Sequence, residues 1–213
     1  MKEHNWNIDS IIFDLDGTLW DPTDVVLKAW AMITGREKDV KKTVTREDMK
    51  GAMGLQLKEI GEKFFPYLEE NRRMELMEAC CIEEQELLKN EGGMLFPKLE
   101  SVLSTLSKKY ALYIVSNCYS GYIETFLEYH KVGHYFKDIE CAGNTGLSKG
   151  ENIKRIMERN GLNAPIYVGD TQGDCDGAKL AGIPFVYAAY GFGEVETYDK
   201  KIDSIEELVA ITG

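Results

Sequence analysis

Long apolar runs are missing from this chain. No stretch approaches the roughly 20 residues that a membrane-spanning helix needs. The first residues, Met-Lys-Glu-His-Asn-Trp-Asn, contain no apolar h-region, so no secretory signal is expected. Basic residues are too few: the formal net charge is -11 over 213 residues. Nucleic-acid binding needs basic patches to neutralise phosphates, so that class is disfavoured, as is an anionic membrane surface. A small anionic substrate is still allowed, because one metal ion and one or two lysines reverse the potential locally. The five cysteines, Cys80, Cys81, Cys118, Cys141 and Cys175, match no zinc spacing. Their odd count points to reduced thiols in a cytoplasm. Internal repeats and low-complexity tracts are absent as well.

The chain does have an ordinary globular apolar fraction, 44%. Its length suits one large domain, or a core carrying a smaller insertion. Ser10-Ile11-Ile12-Phe13 is apolar without alternation, which predicts a strand buried on both faces of a parallel sheet. Ala111 to Val115, Ile166 to Val168 and Pro184 to Tyr187 read the same way, and Ile139 to Ala142 more weakly. Helical spacing is expected over Ser101 to Lys109, Tyr122 to Tyr129, Lys149 to Asn160 and Asp174 to Ala181. Ser148 and Glu151 fit a capping box, and Gly161 a left-handed helix end. Strand and helix thus alternate from residue 97, the pattern of a doubly wound α/β sheet. Residues 21–89 break it. They are rich in charge, lack a convincing strand, and carry helical stripes through Val25, Val26, Ala29, Trp30 and Ile33, and through Met74, Met77, Cys81 and Leu88. The expected organisation is an α/β core of residues 1–20 and 90–213, with a helical cap of residues 21–89. Pro22 on one side, and Gly92-Gly93 with Pro97 on the other, are candidate hinges.

Asp14 and Asp16 follow the first strand. On a strand, residues i and i+2 point to one side, so both carboxylates are expected at the mouth of the sheet. Gly17 then lets the chain turn. Adjacent like charges are tolerated when a cation sits between them or one holds a proton, and oxygen donors suit Mg²⁺. Asp170, after the strand Ile166 to Val168, would enter the same mouth, with Asp174 four residues on. Two readings of Asp174 stand: a support of the metal site, or a plain N-cap. Asp176 reads as a solvated helix residue. Ser116 and Asn117 end another strand and offer a hydroxyl and an amide to phosphate oxygens, although Ser-Asn is also common turn chemistry. Lys149 opens a helix, where the dipole disfavours a cation, so its place there suggests an anion nearby.

Asp14-Leu15-Asp16-Gly17-Thr18-Leu19, Ser116-Asn117, Lys149, and Gly169-Asp170 with Asp174, in this order, resemble the haloacid dehalogenase superfamily. The likeness runs over residues 8 to 193. It is greatest to the branch that contains phosphoglycolate phosphatase and β-phosphoglucomutase. The resemblance implies a Mg²⁺-dependent phosphatase acting on a small phosphorylated metabolite, as a monomer or homodimer. Asp14 would be the nucleophile that becomes an aspartyl phosphate. Asp16 would protonate the leaving alkoxide and then deprotonate water. The metal would be held by Asp14, the backbone carbonyl of Asp16, and Asp170. Asp174 would support it, directly or through water and Lys149. Ser116, Lys149 and the backbone at Leu15 and Asn117 would hold the phosphoryl oxygens.

Asp16 excludes dehalogenation, since a halide leaves without a proton. A phosphomutase using the same Asp14 and Asp16 is the nearest alternative. A non-catalytic phospho-accepting domain is a more distant one. Phosphonatases carry a cap lysine, for which Lys50 and Lys58 are available but disfavoured. In related enzymes a cap loop with a glycine reaches the active site. Met53 to Lys58 looks like that loop, with Gly54 at the turn and Gln56 or Lys58 toward substrate. A mere helix start is an equal reading. Trp20 lines the cleft or belongs to the core. Cys118 and Cys175 read as packing residues beside the motifs, and His4, His130 and His134 receive no role.

Overall fold

The structure is a computed structural model that describes residues 7–212. Its core is a six-stranded, all-parallel sheet. The strands are β1 (Ser10–Phe13), β4 (Ala111–Ser116), β5 (Phe136–Cys141), β6 (Pro165–Gly169), β7 (Phe185–Ala188) and β8 (Lys200–Ile202), numbered in chain order with a short ribbon between the first two. The sheet order is β5-β4-β1-β6-β7-β8. The chain therefore leaves β1 for one side and later crosses to the other. β1, β4 and β6 flank the switch point where open α/β sheets bind ligands.

Apolar runs without alternation produce this sheet because both faces are covered. Ile11, Phe13, Leu112, Ile114, Ile166 and Val168 face one apolar cluster. It is closed by α5 (Leu99–Leu106), α6 (Tyr122–His130) and α10 (Glu207–Thr212). Ile12, Tyr113, Val115 and Tyr167 face the other, against α8 (Lys149–Asn160) and α9 (Gln172–Ala181). The alternation of these neighbours across two buried faces is the period of two that a strand imposes. A one-turn helix, α7 (Ala142–Thr145), links β5 to α8.

Between β1 and β4 lies the helical insert: α1 (Thr23–Thr34), α2 (Arg46–Lys50), α3 (Leu57–Phe64) and α4 (Glu70–Glu91). It has its own apolar cluster, in which Trp30 packs on Phe64 and Phe65. Of the expected α4 stripe, Met77, Cys81 and Leu88 are buried and Met74 is half-buried; Leu76, Cys80 and Glu84 are buried with them. The hinges are more ordered than their Pro and Gly composition implied. β2 (Trp20–Asp21) pairs antiparallel with β3 (Met94–Leu95), tying both ends of the insert together. α4 continues to Glu91.

The doubly wound core agrees with the sequence reading, and helix α8 has the expected bounds, capping box and left-handed Gly161. Helix α5 begins two residues earlier than expected, at Leu99. β8, α10 and the β2–β3 ribbon were not anticipated. No helix among the described residues is long and apolar enough to cross a membrane. All five cysteines are free. His4 lies outside the described residues. His130 packs edge-on against Trp20.

Candidate active site

β1 ends at Phe13, so Asp14 begins the turn rather than extending the strand. Its backbone N–H donates to the Val168 carbonyl of β6, 2.8 Å away, which keeps it at the mouth of the sheet. Asp14 is buried. Burial and the neighbouring Asp174 charge raise its pKa, and Lys149 opposes them. Lys149 Nζ donates to Asp14 Oδ1 at 2.8 Å and also pairs with Asp174 Oδ1. Burial alone would discharge that lysine. The two carboxylates outweigh it and hold the ammonium above its ordinary range. No hydrogen bond among the described residues reaches Asp14 Oδ2.

Lys149 reaches the site because α8 and α9 pack closely. A Cβ on Gly150 would sit 2.5 Å from Leu180 Cδ2 and 3.0 Å from the Gly177 carbonyl. At the other end of α9, Thr171 is the N-cap and Asp174 the third residue of a capping box. The plain N-cap reading of Asp174 is thus corrected: the N-cap lies three residues earlier, at Thr171. Asp174 Oδ2 takes hydrogen bonds from Asp170 N, Thr171 N and Thr171 Oγ1. Its Oδ1 takes Lys149, so Asp174 orients the lysine with both oxygens engaged. Asp176 is exposed and bonded by Gln172, as expected of a solvated residue.

Asp170 lies under the first motif. Phe192 N donates to its Oδ2 at 2.7 Å, and Thr18 Oγ1 approaches its Oδ1 at 3.4 Å. Gly17 makes this packing possible. It has φ +82, and a Cβ there would lie 2.2 Å from Asp170 Oδ2. Burial, then the Asp174 charge, pushes the Asp170 carboxyl up to about 7. Asp14, Asp170 and Asp174 each bring one carboxylate oxygen within 4.8 Å of the others. Three buried carboxyls against one buried lysine, with oxygen donors only, fit a hard divalent cation. The hydrogen bonds leave Asp14 and Asp170 freer to ligate than Asp174.

Asp14 and Asp16 line the same cavity at the sheet mouth, although the strand stops before both. Asp16 Oδ1 accepts from Trp20 Nε1 at 2.7 Å and Tyr122 OH at 3.0 Å. Burial raises its carboxyl to about 6 against the lowering effect of these two donors. Asp16 is not a member of the three-carboxylate cluster. Trp20 is fully buried and does not line the cavity. It is a core residue that also steers Asp16.

A cavity with about 640 Å³ of free space, its open mouth included, lies between the core and the insert. Asp14, Asp16, Ser116 and Asn117 form its floor. The Asn117 side chain reaches across to the insert loop. Its Nδ2 donates to the Gly54 carbonyl at 2.8 Å. The loop expected to reach the core does so: Gly54 has φ +82 and packs on Thr171, and Gln56 Nε2 donates to the Leu147 carbonyl at 3.3 Å. Gln56 is also the N-cap of α3, so the helix-start reading holds too. Lys58 is exposed and pairs with Glu70, away from the cavity. Lys50 is exposed as well. Cys118 lines the cavity, with burial holding its thiol well above the ordinary range, and Cys175 is packed in the core.

Sequence reasoning missed three residues of this cavity: Glu84, Tyr119 and Tyr122. Glu84 sits in an acidic run, which reads as a solvated helix face. Its spacing from Cys81 and Leu88, three and four residues, was the available signal.

The family model for haloacid dehalogenase-like hydrolases matches residues 11–188. The chain is 25% identical to the phosphoglycolate phosphatase of Aliivibrio fischeri over 202 residues, 89% of this chain and 88% of that one. It is 31% identical to the phosphoglycolate phosphatase of Escherichia coli K12 over 116 residues, 51% and 45% of the two chains. The fold superposes on a haloacid dehalogenase-like family hydrolase from Streptococcus pneumoniae with a TM-score of 0.84 at 24% identity, over the full length of both. With its motifs brought to one sheet mouth and the match running from β1 to β7, the chain belongs to the haloacid dehalogenase-like hydrolase family.

Proposed function

We propose that the protein is a Mg²⁺-dependent phosphatase of small phosphate monoesters, working through an aspartyl phosphate on Asp14. The observation that carries this reading is the buried Asp14. One of its oxygens is held by Lys149, the other takes no hydrogen bond among the described residues, and Asp14 both lines the cavity floor and clusters with Asp170. A nucleophile for phosphorus needs that combination: a fixed carboxylate, a free oxygen, and positive charge to receive an anionic substrate.

Asp14 attacks phosphorus, and the bond to the leaving oxygen breaks. Asp16 gives that oxygen its proton. Trp20 and Tyr122 hold Asp16 in place, and a carboxyl near pH 6 can both donate and recover a proton around neutrality. Water then loses a proton to Asp16 and attacks phosphorus, which frees Asp14 and phosphate. Lys149 and Ser116 hold phosphoryl oxygens, with the backbone at Leu15 and Asn117. Mg²⁺ would be held by Asp14, Asp170 and the Asp16 carbonyl, where it would neutralise charge on the transferring group. Asp174 acts through Lys149. Residues 21–89 act as a cap that closes the cavity over the substrate, with Gly54 and Gln56 as its contacts to the core.

The reading is tested with a panel of phosphate monoesters, Mg²⁺ and a phosphate assay. Release of phosphate, with the label from a radioactive monoester trapped on Asp14, is expected. Isomerised product without phosphate would overturn it in favour of a phosphomutase.

A further inference from the structure

The floor of the cavity is polar, and its roof is not. Val26, Met49, Met53, Leu55 and Ile60 line the insert side; Lys149 lies behind Asp14 at the floor, and no lysine, arginine or histidine among the described residues lines the cavity on the insert side. The insert contributes one polar group of consequence, Glu84. It is 6% exposed and sits on the inner face of α4. Trp30 Nε1 donates to its Oε2 at 2.8 Å, and Tyr119 OH lies 3.3 Å from its Oε1. Trp30, Tyr119 and Tyr122 line the same cavity.

A buried carboxyl is costly to keep unless something uses it. Glu84 touches no lysine, arginine or histidine among the described residues. Trp30 and Tyr119 fix its orientation and leave it acceptor capacity, beside the O–H it carries when protonated. A leaving group entering this cavity meets aromatic and aliphatic walls and the Glu84 carboxyl. A second acid on the substrate would be desolvated there with no cation to pair it. An ammonium would find both a carboxyl and aromatic faces, the pairing used to recognise alkylammonium groups.

We infer that Glu84 is a specificity-determining residue that selects phosphate monoesters whose leaving alcohol carries a hydrogen-bond donor, an ammonium or a hydroxyl, and no second acid. The inference rests on the phosphatase reading above for the position of the phosphoryl group. Burial raises the Glu84 carboxyl to about 8. An arriving ammonium would compensate that burial and ionise it, whereas a hydroxyl would bond to it without charge transfer.

Four monoesters of matched size separate these cases: O-phosphoethanolamine, 2-hydroxyethyl phosphate, ethyl phosphate and phosphoglycolate. Their leaving groups end in an ammonium, a hydroxyl, a methyl and a carboxylate. Two measurements are made on the full chain with Mg²⁺: kcat/KM for the wild type, and binding to Asp14→Asn by calorimetry. The expected ranking puts the ammonium or hydroxyl ester at least tenfold above ethyl phosphate, and phosphoglycolate last. Preference for the ammonium ester names a cationic substrate, and preference for the hydroxyl ester names a polyol phosphate. In Glu84→Gln the ratio of ammonium to ethyl ester falls at least tenfold, while the hydroxyl ratio moves less. Tyr119→Phe, which removes only one hydroxyl beside Glu84, shifts the same ratios in the same direction by a smaller factor. A role of Glu84 in folding alone would lower all four esters together. Phosphoglycolate as the best ligand, or ratios unmoved in both variants, would overturn the inference. Absence of phosphate release with the binding ranking intact would overturn the phosphatase reading and leave this one standing.

Discussion

The two walls of the cavity are built by opposite means. On the core side, every functional carboxyl is held by named hydrogen bonds: Asp14 by Lys149, Asp16 by Trp20 and Tyr122, Asp170 by Phe192, Asp174 by four groups. On the insert side, shape comes from apolar packing around Trp30, and a single acid interrupts it. A wall of hydrogen bonds fixes distances to fractions of an ångström and suits bond-making. A wall of packed side chains fixes volume and suits selection among leaving groups. The two touch where α4 packs on α6, where Tyr119 meets Glu84, and through the insert loop, Gly54 with Asn117 and Thr171 and Gln56 with Leu147.

If the division is right, the largest losses come from the core wall. Asp14→Asn is expected to lower phosphate release by roughly 10⁴-fold or more, as removal of a nucleophile does. Its circular dichroism should match the wild type, because the variant removes a buried charge rather than packing. Activity within tenfold of wild type would take the nucleophile away from Asp14. Next, Asp170→Asn is expected to raise the Mg²⁺ concentration for half-maximal rate by at least about tenfold. A Mg²⁺ titration that overlays the wild type would remove Asp170 from the metal site.

The insert wall gives smaller effects, and they concern stability as much as rate. Glu84 keeps its proton up to about pH 8 in the folded protein, against an ordinary value of 4.5. Between those values unfolding releases a proton, so this residue's contribution to stability is lost as pH rises through that window. Glutamine cannot ionise. Relative to wild type, Glu84→Gln is therefore expected to be more favoured at pH 8 than at pH 5, by about 1–3 kcal/mol, read from melting curves at both values. Equal differences at the two values would mean that Glu84 is already ionised in the folded chain. Gly54→Ala probes the contact between the walls. Alanine at φ +82 costs about 1 kcal/mol, and its Cβ would crowd Thr171 at 3.2 Å. A loss of roughly fivefold in kcat/KM is expected, with a smaller change in the rate for an excess of substrate.

The same contrast explains what could be read before the fold was known. β1, β4, β6 and β7 announce themselves because strands buried on both faces are apolar throughout. The core carboxyls follow from their place after those strands. Asp16 was legible as an acid but not in its orientation. The strand ends one residue before Asp14, so the rule of two no longer applied, and only the side chains of Trp20 and Tyr122 decide where Asp16 points. The partner of the Asn117 amide was not legible for a similar reason, since it is a carbonyl 63 residues away. Glu84 lies among Glu83, Gln85 and Glu86, and composition hides what its position on the stripe would have revealed. β8 and the β2–β3 ribbon are three and two residues per strand, too short for any periodicity.

The smallest effect is also the finest test of the core wall. Tyr122 OH donates to Asp16 Oδ1, and that bond favours the ionised carboxyl. Tyr122→Phe removes it with little change in packing, so the Asp16 pKa should rise from about 6. Protonated Asp16 is the form that donates to the leaving oxygen, and kcat/KM reports that first step. The falling limb of the pH profile should therefore move to higher pH, by less than about one unit for the loss of one neutral donor. Trp20→Phe should move it the same way, with an added loss of stability from the buried indole. A limb that stays in place in both variants would mean that another group supplies the proton. A limb that moves to lower pH would mean that these donors serve the protonated acid instead of its anion.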